Sequence, residues 1–86
     1  MKRGDGVKMK RSEARILIFL SVAADRHKYA KHIASKLGMD YGYCIQILNG
    51  LKFNKMIKPS AKRANKIFYS VTKHKHIEHA KMRLGK

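Results

Sequence analysis

The sequence predicts a small, mainly α-helical domain with one β-hairpin. Apolar residues recur at helical spacing in residues 12–24, 30–37 and 40–54. Residues 67–72, IFYSVT, are instead rich in β-branched and aromatic side chains, which is typical of a strand. A chain of 86 residues has room for one such domain and little room for a second core.

The charge of the chain is its most unusual bulk property. It has 21 Lys and Arg against 5 Asp and Glu, a net charge of +16, with a hydrophobic fraction of 44% that is ordinary for a folded domain. So much like charge destabilises a compact state by self-repulsion, which a bound polyanion relieves with release of counterions. Nucleic acid is the leading candidate partner, and an anionic membrane surface is the alternative.

Other sequence features concern the compartment. No stretch approaches the roughly 18–20 apolar residues that span a bilayer, and no long apolar segment follows the basic start as in a signal peptide. The single Cys44 cannot form an internal disulfide. We therefore expect an intracellular, cytoplasmic protein without a membrane segment.

Residues 1–11 are basic, contain two glycines and offer little to bury. We predict a flexible arm, which is either a solvated tail or a segment that lies along nucleic acid phosphates or in a minor groove. The folded domain is expected at residues 12–84.

The first helix is predicted at residues 12–24. Ser12 is a good N-cap and Glu13 suits the positive end of the helix dipole. An apolar stripe is widened by Ile18, Phe19 and Val22 to nearly the whole circumference. Such a helix is covered either by its own domain or in part by a second subunit, and the sequence leaves both open.

A polar loop or short strand at residues 25–29 precedes a second helix at residues 30–37. Gly38 ends that helix, because glycine takes positive φ at little cost, and Asp40 is a candidate N-cap for a third helix. Cys44, Leu48 and Leu51 would bury one face of the third helix. The opposite side, near the helix start, carries Tyr41, Gly42, Tyr43, Ile45 and Gln46.

The period changes after the third helix. Residues 56–58 and 67–72 are predicted strands, with Pro59 at a strand end where a missing N–H is tolerable. Residues 60–66, SAKRANK, would form a seven-residue basic loop. A last helix is expected at residues 73–84, with Ile77, Ala80, Lys81 and Leu84 roughly in line.

Several positions together carry a family likeness. They are the opening Leu37-Gly38-Met39-Asp40, the buried Cys44, the leucines Leu48 and Leu51, the apolar pair Met56-Ile57 and the strand-ending pair Val71-Thr72. With the order of elements, they resemble the winged helix-turn-helix superfamily, as in MarR-like and ArsR-like bacterial and archaeal regulators. The likeness runs without a gap over residues 29–57 and more loosely to residue 72. It implies a three-helix core, a hairpin "wing" and a C-terminal helix.

The sequence departs from the family pattern at three places. Lys55 occupies the position where the family usually has glycine, residues 41–43 replace small hydroxyl residues, and Gln46 stands where an arginine is common. The fold tolerates these changes, but base preference cannot be carried across, since fold does not fix function.

The resemblance implies that the third helix enters the major groove of double-stranded DNA, with its wing on the adjacent backbone or minor groove. Gln46 can contact adenine through two hydrogen bonds, and the tyrosines can reach phosphate or a thymine methyl. The predicted recognition residues are Tyr41, Gly42, Tyr43, Ile45, Gln46, Asn49 and Lys52, and the predicted wing contacts are Lys62, Arg63, Asn65 and Lys66. The predicted backbone contacts are Lys28, Lys31 and Lys36, and the predicted homodimer interface is Ile18, Phe19, Val22, Ile77, Ala80 and Leu84. A tyrosine packed against the wing or arm, and a solvated charged face, are the simpler readings of the same residues.

His74, His76 and His79, with Glu78, invite a metal hypothesis. The chain is too basic to attract a cation, and nothing elsewhere completes a tetrahedral site, so we expect no metal or other cofactor and no small-molecule ligand. A cluster that gains charge at acid pH and tightens anion binding is the favoured interpretation. The scattered carboxylates and the absence of a nucleophile–base pattern predict that the chain is not an enzyme.

Three functional hypotheses follow. The first is a DNA-binding protein, either a transcription regulator, which the resemblance favours, or a nucleoid-type protein of low sequence preference, which the charge favours. The second is an RNA-binding module, and the third is a protein–protein interaction module whose affinity would hardly change with salt.

Overall fold

The computed structural model describes residues 9–85. It contains helix α1 (Arg11–Val22), a 3₁₀ turn (Asp25–His27), α2 (Ala30–Leu37), α3 (Tyr41–Phe53), strands β1 (Ile57–Arg63) and β2 (Lys66–Val71), and α4 (His74–Arg83). Three helices and an antiparallel hairpin, followed by a fourth helix, form a winged helix, which confirms the predicted fold class. Among these residues, no helix is both long and apolar enough to cross a membrane.

Helix α1 begins one residue earlier than predicted, and Ser12 is not its N-cap. Lys10 occupies the N-cap position, and its backbone N–H donates a 2.9 Å hydrogen bond to the side chain of Glu13. The helix ends at Val22 because Ala23 is already extended. Met9 is buried, and its carbonyl accepts a 2.7 Å hydrogen bond from Nε of Arg83. The predicted arm of residues 1–11 is therefore wrong for residues 9–11, and the rest of it lies outside the described residues.

The turn between α2 and α3 forms as its sequence predicts. Gly38 ends α2 with a φ of 68°, and the N–H of Met39 donates to the carbonyl of Ala34 at 2.8 Å. Asp40 caps α3 by accepting from the N–H of Tyr43 at 3.2 Å. Nη2 of Arg15, on α1, donates to the carbonyl of Leu37 at 2.8 Å, which ties this turn to the first helix.

The core lies between the four helices and one face of the hairpin. The four helices and β1 each contribute fully buried side chains, and burying a large aliphatic side chain contributes roughly 1.5–3 kcal/mol. The largest are Ile16, Leu17, Leu20, Ile33, Leu48, Leu51, Ile57 and Cys44. The buried face predicted for α3 is thus confirmed. Burial also raises the pKa of the Cys44 thiol, which argues against a reactive cysteine.

The hairpin differs most from its prediction. The strands pair up to Arg63 and Lys66, so the connection is a two-residue turn rather than a seven-residue loop. Ala64 and Asn65 have φ values of 47° and 68°, as a type I′ turn requires. The register shifts between Pro59 and Ala61, where an extra residue forms a bulge that accommodates the proline inside the strand.

One residue adds a short third strand to the sheet. Tyr29 forms an isolated antiparallel bridge with Phe68, and the N–H of Tyr69 donates to the carbonyl of Lys28 at 2.9 Å. The segment predicted as a loop or short strand is therefore a 3₁₀ turn followed by this bridge. It fixes the position of β2 relative to the start of α2.

Candidate nucleic-acid interface

The first turns of α3 present a polar, solvent-exposed surface. Its buried residues recur at helical spacing and face the core, so the intervening side chains must face outward. The outward-facing residues are Tyr41, Gly42, Tyr43, Gln46, Asn49 and Lys52, with Ile45 half-buried beside them. Tyr41 is 55% exposed, which leaves much of its ring free to touch a ligand.

A groove separates α3 from the wing. Its volume is about 250 Å³, and we call it the recognition groove. It is lined by Tyr29, Ala30, Lys31, Tyr41, Ile45, Asn65, Lys66, Ile67 and Tyr69. None of these residues is acidic, so the groove is positively charged. Predicted residues of the helix, of the wing and of α2 thus line one surface.

Aromatic side chains form the floor of the recognition groove. Tyr69 is buried, and its burial, followed by the nearby Tyr41, raises the pKa of its hydroxyl, which therefore stays neutral. Nζ of Lys66 lies 4.7 Å from the centre of the Tyr29 ring, a cation–π geometry. Neither Tyr29 nor Tyr69 is among the contact residues predicted from the sequence. The alternation of inward and outward residues along β2 could have identified Tyr69. Tyr29 is brought beside the hairpin by its bridge to Phe68, a contact between distant segments that no local pattern predicts.

The side chain of Tyr43 is oriented away from the groove residues. Its hydroxyl oxygen lies 3.1 Å from Oγ of Ser12 at the start of α1. Tyr43 does not line the groove with Tyr41. The hydroxyl of Tyr43 therefore contacts α1, and not the wing or the arm as the alternative prediction had it.

The wing cations do not all share one face. Cross-strand partners lie on the same side of an antiparallel pair, and Lys62 is paired with Ile67, a residue of the recognition groove. Arg63 lines a different groove. Its strand partner Lys66 lines the recognition groove, where its Nζ lies over the Tyr29 ring. The four predicted wing contacts are therefore split between two surfaces.

The predicted backbone contacts are split in the same way. Lys31 lines the recognition groove. Nζ of Lys28 pairs with the carboxylate of Asp25 at 3.1 Å and lies on the opposite face of the hairpin with Arg63. Lys36 is exposed on α2 and lines neither groove.

The predicted dimer residues also separate. Ala80 is fully buried within the chain, so the prediction that it contacts a second subunit is wrong. The reason is that α4 packs directly on α1. Val22 is 77% exposed, whereas Ile18, Phe19, Ile77 and Leu84 are half-buried.

The histidines of α4 are arranged as a surface cluster. Nε2 of His74 lies 2.9 Å from Oε2 of Glu78, and burial, followed by the charge of Lys75, lowers the pKa of His76. Within residues 9–85, no three or more His, Cys, Asp and Glu side chains are grouped so that they could hold a metal ion.

The winged-helix fold is shared with solved structures of one bacterial protein. The structure of Lactococcus lactis ZitR in complex with DNA has a TM-score of 0.72 and 23% identity, covering 98% of this chain and 56% of that chain. The crystal structure of ZitR described as a zinc-responsive MarR family member has a TM-score of 0.74 and 23% identity, covering 94% and 55%. The structure of a ZitR point mutant has a TM-score of 0.74 and 24% identity, covering 98% of this chain and 56% of that chain. This chain thus spans little more than half the length of ZitR. The sequence matches no family model and no curated protein.

Proposed function

We propose that this chain binds double-stranded DNA through α3 and the recognition groove and acts as a small transcription regulator. The observation that carries the proposal is the recognition groove itself, which joins the exposed start of α3 to a basic wing without any acidic lining residue. In the docking geometry of such domains, the second helix of the turn motif enters the major groove. ZitR, which shares this fold, has a structure in complex with DNA.

Each part of the surface has a distinct role in the proposal. Gln46 and Asn49 reach base edges, because they are exposed side chains with both donors and acceptors. Lys31, Lys62 and Lys66 contact phosphates and set the register of the protein on the duplex. Such a role places the protein with the chromosome, in the cytoplasm of a bacterial or archaeal cell.

A homodimer accounts for the apolar surface that the fold leaves uncovered. Val22, at the exposed end of α1, is the centre of the proposed interface, with Ile18, Phe19, Ile77 and Leu84 around it. Val22→Glu should give a folded monomer, since the side chain supports no core contact. Sedimentation of the wild type and of this variant tests the interface, and a monomeric wild type would contradict it.

A nucleoid-type protein of low sequence preference is a second candidate. The net charge of +16 favours it, because a regulator that reads one operator does not need so many cations. Both candidates bind duplex DNA, and they differ in the ratio of specific to non-specific affinity.

Duplex binding at several salt concentrations tests the proposal. Random DNA is compared with DNA selected from a randomised pool, and structured RNA serves as competitor. A palindromic site bound far more tightly than random DNA indicates the dimeric regulator. Tight, salt-sensitive binding without an enriched site indicates the nucleoid-type protein. Failure to bind duplex at low salt would overturn both, and preference for the RNA would support an RNA-binding module.

A further inference from the structure

A second, larger groove lies between the 3₁₀ turn and the wing. Its volume is about 420 Å³, and we call it the rear groove. Arg26 and Lys28 approach it from the 3₁₀ turn side and Arg63 from β1, while Phe68, Ser60 and Ser70 complete its wall. The function proposed above assigns no role to any of these residues.

The rear groove and the recognition groove lie on opposite faces of the hairpin. Successive side chains of a strand point to opposite faces. From residue 67 to residue 70 of β2, Ile67 and Tyr69 line the recognition groove, whereas Phe68 and Ser70 line the rear groove. At the tip of the hairpin the two faces are less separate, because Lys66 lines the recognition groove although it is paired with Arg63 of the rear groove. Over residues 67–70 the sheet therefore separates the rear groove from the recognition groove, and we expect a straight duplex on α3 not to reach the rear groove.

The rear groove is cationic. Asp25 is the one carboxylate among its lining residues, against three cations. Asp25 pairs with Lys28, but the side chain of Asp25 is 99% exposed, so this ion pair is weak. Another anion can therefore replace Asp25 as the partner of Lys28. Ser60 and Ser70 also line the groove, and the hydroxyl of Ser60 donates to the carbonyl of Phe68 at 3.3 Å. The guanidinium and ammonium groups suit the oxygen atoms of a phosphodiester backbone.

We propose that the rear groove binds the backbone of a second DNA duplex, so that one protein molecule bridges two DNA segments. This inference rests on the proposed binding of DNA by the recognition groove. Cations on the far face add to the self-repulsion of a chain that already carries +16, and they make no direct contact with a duplex bound at the recognition groove. A long polyanion on each face removes this repulsion on both sides of the sheet.

A capture assay tests the bridge. One duplex is fixed on beads, the protein is added, and retention of a free, labelled duplex is measured. The test variant replaces Arg26, Lys28 and Arg63 by Ala. The control variant replaces Lys73, Lys75 and Lys81 by Ala, which removes the same charge from exposed positions on and next to α4. Affinity of each protein for the fixed duplex alone is measured in parallel.

The wild type and the control should retain the labelled duplex. The test variant should retain at least about tenfold less, while its affinity for the fixed duplex falls no further than that of the control. Equal retention by the test variant would overturn the inference, because bridging would then come from the two recognition surfaces of a dimer. Binding of the fixed duplex without any bridging by the wild type would overturn the inference alone. No binding of the fixed duplex would overturn the proposed function and the bridge with it.

Discussion

The hydroxyl of Tyr43 lies 3.1 Å from Oγ of Ser12, which joins the first turn of α3 to the first turn of α1. This contact holds the N-terminal end of the recognition helix against the helix that supports it. A tyrosine at the start of α3 thus serves the position of the helix, while its neighbour Tyr41 lines the recognition groove.

Tyr43→Phe should lower the free energy of unfolding by about 0.5 kcal/mol, because it removes one exposed hydrogen bond. Duplex affinity should stay the same, since the lost hydroxyl is engaged within the chain. Urea unfolding and duplex titration measure the two effects. Ser12→Ala, alone or combined with Tyr43→Phe, should lower the free energy of unfolding by no more than Tyr43→Phe does alone, because all three remove the same hydrogen bond. A large loss of affinity at unchanged stability would instead place the hydroxyl on DNA.

Lys55→Gly should stabilise the protein by about 0.5–1 kcal/mol. Lys55 has a φ of 63°, a left-handed conformation that costs a side chain energy, and glycine avoids that cost. The turn is held in place by the hydroxyl of Thr72, which donates to the carbonyl of Lys55 at 2.7 Å. The midpoint of urea unfolding checks the change. Gln46→Gly, at an exposed position in the second turn of α3, is the matched control and should destabilise by about 1 kcal/mol. Destabilisation by both variants would mean that Lys55 makes a contact that outweighs its strain.

Gln46→Ala should reduce discrimination between DNA sequences more than overall affinity. A bidentate contact to a base contributes about 1–3 kcal/mol of discrimination, and an exposed Gln46 at the start of α3 is placed to make one. Titration of a selected duplex and of a random duplex gives the ratio. Lys52→Ala, further along the same helix, should weaken both duplexes equally. An equal loss on both duplexes for Gln46→Ala would argue against base reading by this residue.

Lys62→Ala combined with Lys66→Ala should weaken binding of a single duplex and flatten its salt dependence. Each phosphate contact contributes about 0.9 to the slope of log affinity against log salt, so the slope should fall by nearly two. Arg63→Ala, on the other face of the wing, should leave this slope almost unchanged. If Arg63→Ala instead lowers the slope as much per charge, the wing contacts the first duplex with both faces.

Acid pH should destabilise the fold through His27. Partial burial, then the charges of His32, Arg26 and Lys36, lower the pKa of His27 from its ordinary value of 6.5. The rings of His27 and His32 are stacked with centres 4.3 Å apart. The folded state therefore prefers neutral His27. Below pH 6.5 the unfolded chain takes up the proton first, so stability is full above pH 6.5 and falls until the folded pKa is passed.

Urea midpoints measured from pH 7.5 to pH 5 give this dependence. His27→Gln should make it shallower without removing it, because the pKa of His76 is lowered as well. An unchanged profile would mean that the stacked pair does not control the acid response.

The sequence alone determined the helix-turn-helix unit almost to the residue. The signals there are local, because Gly38 and Asp40 act on backbone groups within a few residues and the buried face of α3 follows from its period. The strand IFYSVT was also predicted from the sequence, since its β-branched and aromatic side chains favour strand structure. The two-residue turn was not, because Ala64 and Asn65 lack the usual glycine and the strand residues beside them are polar and exposed.

Only the tertiary structure decided which predicted contacts share a surface. Ala80 is buried by α1, Tyr43 turns to Ser12, and Arg63 and Lys62 lie on opposite faces of the wing. The bulge after Pro59 and the bridge between Tyr29 and Phe68 set this arrangement. Periodicity predicts which side of an element is apolar, because that depends on neighbours in sequence. Which cations meet in one groove depends on contacts between distant segments, and these form only when the elements pack.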